Sequence, residues 1–374
     1  MQLERGMDFR LPEYRREVFL RFWMFHCRYR SHPGAVYYLL PWLRGHYGWT
    51  AEEALWFAFL NGNTQHPVTS LILHQRCPDP ADGPAVFRML AFYREHYARL
   101  AFDTDRRHWK GNLPDAVSSY RRLLRRYGGS QAQMWEAAAS GGFAGVWDTA
   151  TSIHGFGRLS AFSYTEYLKI MGVPFDCDDL MLGDRDGSRS HRNGLCIATG
   201  QDDLVWDKAL GSYDGRYPPE TIASLERLAA GLREEARDRA RGEAWLQDVD
   251  YFTLESALCT YKSWHKPNRR YPGVYNDLLY DRLKRYEQTW PGGEKWTAPF
   301  WRARRECLPR WLRLEDQPYD PGCVPLKQNW YREYGEVPVM GHDDPAFWST
   351  FDLAVGHGEF GLRKDIRGRR EVLR

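Results

Sequence analysis

Apolar residues recur at helical spacing along most of this chain. Val18, Phe19, Phe22, Trp23 and His26 fall on one face of a helix from Glu13 to Tyr29. Ser31-His32-Pro33-Gly34 then stops it. Thr50 and Glu53 form a capping-box signature for a helix from Ala51 to Leu60. The polar run Asn61 to Pro67 reads as a loop after it. Further helices are predicted over Pro84–Leu100, Pro114–Tyr127, Gln131–Ala139, Phe143–Ser152, Arg158–Met171, Pro218–Arg241 and Tyr275–Thr289. No series of alternating strands emerges, so the fold class is all-α. Two stretches break the pattern. Residues 183–212 are rich in Gly, Asp, Ser and Arg, and residues 318–374 are rich in Pro, Gly and aromatics and read as an irregular closing segment.

With 374 residues, 43% of them hydrophobic, the chain can bury a sizeable core. A net charge of +3 neither requires nor excludes nucleic acid, so a local basic patch has to carry that argument. The 16 tryptophans fit a large aromatic core, with some rings available to stack on bases. Seven cysteines without a CxxC pair or a Cys/His zinc spacing read as reduced thiols of a cytoplasm. The charged start MQLERGMDFR is no signal peptide, and no apolar run is long enough to span a membrane.

Between two predicted helices lies Ile153-His154-Gly155-Phe156-Gly157-Arg158-Leu159-Ser160-Ala161. This segment resembles the hairpin of helix-hairpin-helix DNA-binding proteins. Gly155 and Gly157 would let backbone N–H groups face a phosphate, and the helix starting at Arg158 would add its positive dipole end. Phe156 would anchor the turn, while Ser160 would let the helices approach. An ordinary Gly-rich helix–helix turn is the bland alternative.

Downstream, Gly172-Val173-Pro174-Phe175-Asp176-Cys177-Asp178-Asp179 resembles the arrangement of helix-hairpin-helix DNA glycosylases, where a catalytic aspartate follows a GxP turn. Asp178 and Asp179 match that position best, and Asp176 lies slightly early. Such carboxylates suit proton transfer, and a solvated acidic turn is the alternative. Leu159 stands where the backbone-nicking glycosylases carry a lysine, so Schiff-base chemistry is not expected.

A basic and aromatic run, Glu255 to Pro272, offers Lys262, His265, Arg269 and Arg270 to bind phosphates. On a helix, Lys262 and His265 share a face with Cys259 and Glu255. Three smaller polar groups are candidates for substrate recognition: Asp105 with Arg106; His191, Arg192 and Asn193; and Asn63 with Gln65.

Taken together, HPGAVYYLLPWL, LWFAFLNGNTQHPVTS, LAFDTDRRHW, FGRLSAFSYTEYL, DCDDLMLGDRDGSRSHRNGLC and YFTLESALCTYKSWHKPNRRYPGVYND resemble the amino acid:DNA transferase family of bacteriophages, also called α-glutamyl/putrescinyl thymine pyrophosphorylase. The likeness runs from about Met7 to Tyr334, which makes 7–334 a single catalytic unit of helical lobes, with the helix-hairpin-helix at 143–171 and a tail at 335–374. It implies a two-lobed helical fold like that of helix-hairpin-helix glycosylases. It also implies a reaction on double-stranded DNA containing modified uracil: the pyrophosphate of 5-pyrophosphoryloxymethyluracil is replaced by the amine of a free amino acid. The setting would be the cytoplasm of an infected bacterial host. No cofactor is certain from the motifs; Mg²⁺ is a candidate for neutralising pyrophosphate. Two other functions stay open on the residues alone: a glycosylase for a modified base, and a non-catalytic DNA-binding protein.

Overall fold

The computed structural model describes residues 12–32, 35–183, 189–205, 217–262, 278–309, 313 and 315, except the side chains of 104, 105, 278 and 281. Among these residues every regular element is helical, so the protein is all-α. The chain divides into two compact units. One holds 1–33, 177–277 and 308–374; the other holds 34–176 and 278–307. Below they are the first and second unit.

The second unit contains α2 (Val36–Tyr47), α3 (Ala51–Thr64), α4 (Pro67–Arg76), α5 (Gly83–Glu95), α6 (Leu113–Leu124), α7 (Gln131–Ala139), α8 (Gly142–Thr151), α9 (Arg158–Ile170), α13 (Leu278–Thr289) and α14 (Glu294–Cys307). Its centre is α3. The capping box at its start is present, with the Glu53 N–H donating to Thr50 and the Thr50 N–H donating to Glu53. Beyond its first turn α3 is buried on all sides, as its apolar stretch Ala54 to Leu60 requires. Aromatic rings fill the space around it. Phe59 stacks on Tyr120 at 4.1 Å and on Trp56 at 5.0 Å, and Phe156 lies 5.0 Å from Tyr164. Most of the described aromatics thus serve the core; Trp109 is an exposed exception.

One predicted loop is not a loop. Asn61 to Thr64 continue α3, Gln65 caps it in the left-handed region (φ 46°), and Pro67 already sits in the first turn of α4. The polar composition misleads because Asn61, Asn63 and Thr64 are bonded inside the unit. The Asn63 amide donates to Phe59 O at 2.9 Å, and Thr64 bonds Ser70 at 2.6 Å.

The first unit contains α1 (Pro12–Tyr29), α10 (Arg189–Ala198), α11 (Pro219–Arg239) and α12 (Tyr251–Lys262). Trp23 of α1 donates to Thr253 of α12 at 3.0 Å, and Phe19 meets Tyr261 edge-on at 5.3 Å. The stretch 183–212, expected to be irregular, yields α10 over Arg189–Ala198, buried from His191 onwards. Its helicity comes from packing. A β-carbon on Gly194 would overlap the Leu258 carbonyl, so α10 and α12 cross at backbone contact.

Buried histidines give the fold a pH signature. Burial lowers His26 and His74 from 6.5 to about 4, and His66 to about 3. Each stays neutral in the folded chain but takes up a proton on unfolding below pH 6.5, so the unfolded state binds more protons there. Stability is therefore full above about pH 6.5 and falls as the pH drops towards 4, by on the order of 3 kcal/mol for His74. The melting temperature should decline over that window, and His74→Gln should flatten the decline. A melting temperature constant across the window would contradict this.

Candidate functional site

The sequence candidates sort by unit. Gly155, Phe156, Gly157, Arg158, Ser160, Asn63, Gln65, Arg106 and Asp176 belong to the second unit, and Asp178, Asp179, His191, Arg192, Asn193 and Lys262 to the first. His265, Arg269 and Arg270 lie outside the described residues, as does the side chain of Asp105.

In the second unit, α8, a short turn and α9 follow in that order. Gly155 has φ 81°, which L side chains rarely adopt, so glycine is needed there. Gly157 has φ −82° with open space around it and caps α9, so its conformation does not demand glycine. The turn is pinned from beneath by Arg106, whose guanidinium donates to Gly155 O at 2.7 Å, Asn63 O at 3.0 Å and Asn63 Oδ1 at 3.1 Å, and lies 5.2 Å from the Phe156 ring. Asn63 and Arg106 are therefore buried braces of the turn, and Gln65 is buried beside Asn63 in sequence. Ser160 is buried, whereas Leu159 is exposed. The His154 N–H donates to Ser119 Oγ and the Phe156 N–H to Ile153 O. Asp176 is exposed and paired with Lys169.

The same unit carries a cavity of about 400 Å³ lined by Arg99, Arg107, Lys110, Arg282, Arg285 and His66 among others. Burial, reinforced by the Arg282 charge, holds His66 neutral, as expected where cations gather. Sequence reading missed this site because α13 and the 98–110 segment are far apart along the chain.

In the first unit, the acidic run leads into a backbone turn clamped on both sides. Asp178 and Asp179 are exposed. Asp179 Oδ1 accepts the Met181 N–H at 2.7 Å, in a turn that holds Met181 at φ 53°. The Glu226 carboxylate of α11 accepts the N–H groups of Leu180 (3.2 Å) and Leu182 (2.8 Å). Burial outweighs those bonds and, with Asp179 close by, raises the Glu226 pKa. On the carbonyl side, His191 Nε2 contacts Leu180 O at 3.1 Å and Arg192 donates to Leu182 O at 3.2 Å while lying 4.1 Å from the Tyr217 ring. Glu226 was overlooked because it sits in a charged amphipathic helix that reads as a solvated face.

His191 also touches α12. Its Nδ1 lies 3.0 Å from Glu255 Oε1, and Cys259 Sγ lies 3.5 Å from the same oxygen. Glu255, Cys259 and Lys262 recur at helical spacing on one face, and the Lys262 ammonium bonds Ser190 beside His191. Burial, then the Glu255 charge, push the Cys259 thiol well above its usual range. Asn193, next on α10, is buried. A clamped acidic turn, a buried His–Glu pair and a cation thus share one helical unit.

Such an all-α chain, with a glycine-bearing interhelical turn in one unit and acid–base and cationic groups gathered in the other, has the parts of an enzyme acting on an anionic polymer. Comparison with known proteins gives the class. Residues 20–270 match the model of the family "Amino acid:DNA transferase", and the chain belongs to that family. It is also 29% identical over 323 residues to the "Serinyltransferase" of Salmonella phage ViI, an alignment covering 83% of this chain and 74% of that protein. The protein is therefore a transferase that acts on DNA with an amino acid. Among the described residues no helix is long and apolar enough to cross a membrane.

Proposed function

We propose that this enzyme replaces the pyrophosphate of 5-pyrophosphoryloxymethyluracil in double-stranded DNA with the amine of an amino acid, in the cytoplasm of a phage-infected bacterium. The observation that carries this reading is the gathering of Lys262, His191 and Arg192 with the clamped Asp178–Asp179 turn in one unit of an amino acid:DNA transferase. Pyrophosphate leaves readily once cations take up its charge. Lys262 supplies one, and His265, Arg269 and Arg270 follow it in sequence. Departure leaves an electron-poor exocyclic methylene conjugated with the pyrimidine. The incoming amine attacks only when neutral, so a base must take its proton. Asp178 is the better candidate, since Asp179 already holds the Met181 N–H. Asp176, paired with Lys169, is the weakest of the three. The target base leaves the stack so that these groups can surround it.

The second unit supplies the grip on DNA in this reading. Gly155, Gly157 and the first turn of α9 offer N–H groups to a backbone phosphate, and the arginine-lined cavity takes another anionic group. The name of the phage ViI relative makes serine the first donor to test.

The test is incubation with DNA carrying the pyrophosphorylated base and a mixture of amino acids, followed by mass spectrometry of the released nucleosides. Pyrophosphate should appear only with an amino acid present, and the modified nucleoside should remain attached to DNA. Asp178→Asn should abolish release while DNA binding persists. Alkali-labile abasic sites formed without an amino acid would instead make the protein a glycosylase.

A further inference from the structure

His191, Glu255 and Cys259 bring a nitrogen, an oxygen and a sulfur ligand atom together at the α10–α12 crossing. Leu180 O can only accept, so His191 Nε2, 3.1 Å away, donates to it, which fixes the ring with Nδ1 turned towards α12. Its Nδ1 lies 3.0 Å from Glu255 Oε1, so nitrogen and carboxylate oxygen converge on one point that a proton or a cation can occupy. The Cys259 sulfur comes to the same oxygen, and the nitrogen, oxygen and sulfur all lie within 4.8 Å of one another. A histidine whose second nitrogen donates to a backbone carbonyl is also the arrangement that orients a metal-ligating ring.

We propose that His191 Nδ1, Glu255 and Cys259 Sγ bind a divalent transition cation of the zinc class, leaving one coordination position for water or a substrate atom. Zinc bonds of about 2.0–2.3 Å to nitrogen, oxygen and sulfur give tetrahedral edges of about 3.3–3.8 Å. The observed nitrogen–oxygen and sulfur–oxygen separations of 3.0 and 3.5 Å bracket the lower end of that range, and with all three atoms within 4.8 Å side-chain rotation can close the set. Softness selects the ion: thiolate with imidazole favours zinc or cobalt over Mg²⁺, which prefers an all-oxygen shell. The scaffold is rigid where it must be. Gly194 brings α10 into backbone contact with α12, and Glu255 and Cys259 are one turn apart on that helix. On binding, the Cys259 S–H bond breaks and its proton passes to solvent, while sulfur donates its pair to the cation; no redox change is involved.

The experiment is a Co²⁺ titration of the full chain after treatment with a chelator, without DNA or amino acid. Its outcome is therefore independent of the transfer reaction. A thiolate-to-cobalt charge-transfer band should appear at stoichiometric metal, with visible bands typical of four-coordination, and Zn²⁺ but not excess Mg²⁺ should abolish them. Cys259→Ser should remove the charge-transfer band, and His191→Gln should weaken zinc binding by no less than about 10–100-fold, the range seen even for outer partners of a ligand. Circular dichroism of both variants checks that the helices persist. Absence of the band in the wild-type chain, its persistence in Cys259→Ser, or competition by Mg²⁺ would overturn the proposal; the His191–Glu255 contact would then be an ordinary shared proton.

Discussion

Replacing Lys262 by alanine should lower turnover on pyrophosphorylated DNA by about 10²–10³-fold, the effect of removing one preorganised group that meets developing negative charge. Affinity for unmodified DNA should stay nearly constant. In the proposed reaction the departing pyrophosphate gains charge only as its bond to the methylene breaks, so Lys262 would stabilise the transition state more than the bound ground state. Its position supports this role. It ends α12, where a cation is favoured by the helix dipole, and its ammonium is held by Ser190, next to His191. Lys262→Arg should recover part of the loss, because charge is kept but the compact ammonium is exchanged for a wider planar group. Single-turnover rates and DNA affinity, measured side by side, decide the matter. Equal losses in both would make Lys262 a grip on the DNA backbone, and unchanged turnover would remove it from the site.

How much of this was legible in the sequence differs by element, for physical reasons. Helices with strong periodicity or a cap were readable: α7 spans Gln131–Ala139 as expected, and the Thr50–Glu53 box starts α3 where predicted. The errors fell where tertiary contacts override composition. Asn61 to Gln65 look like a loop because Asn, Gly and Thr favour turns, yet α9 covers Gly62 and Arg106 absorbs the Asn63 oxygens. α10 looks like a coil because its neighbourhood is rich in Gly, Ser and Asp, yet it is held by α12.

The candidate site was legible in part. Lys262, His191 and Arg192 were marked by their charge and by the family likeness, and Glu255 and Cys259 by their shared helical face. What periodicity could not reveal is that His191, on another helix, meets Glu255, or that Glu226 clamps the turn after Asp179. Both are contacts between distant segments, and side-chain spacing within a helix carries no information about them. Arg106 shows the converse. A cation in a polar segment reads as a substrate group, whereas here all three of its named bonds go inward, to Asn63 and Gly155.

The same substitution should have opposite signs at two helical glycines. At Gly231, inside α11, an added β-carbon meets nothing within 4 Å, so Gly231→Ala should stabilise by roughly 0.5–1 kcal/mol through helix propensity. At Gly194 the added carbon overlaps the Leu258 carbonyl, a backbone group that cannot rotate away. Gly194→Ala should therefore destabilise by about 3 kcal/mol, since α10 and α12 must separate to admit it. That separation acts on chemistry too. It draws His191 away from Glu255 and Ser190 away from Lys262, so turnover measured well below the melting temperature should fall as well. Denaturant unfolding of both variants gives the two signs, and turnover of the folded fraction gives the second effect. A Gly194→Ala protein as stable and as active as the parent would mean that α10 and α12 are not in backbone contact, and the site built on that contact would have to be drawn again.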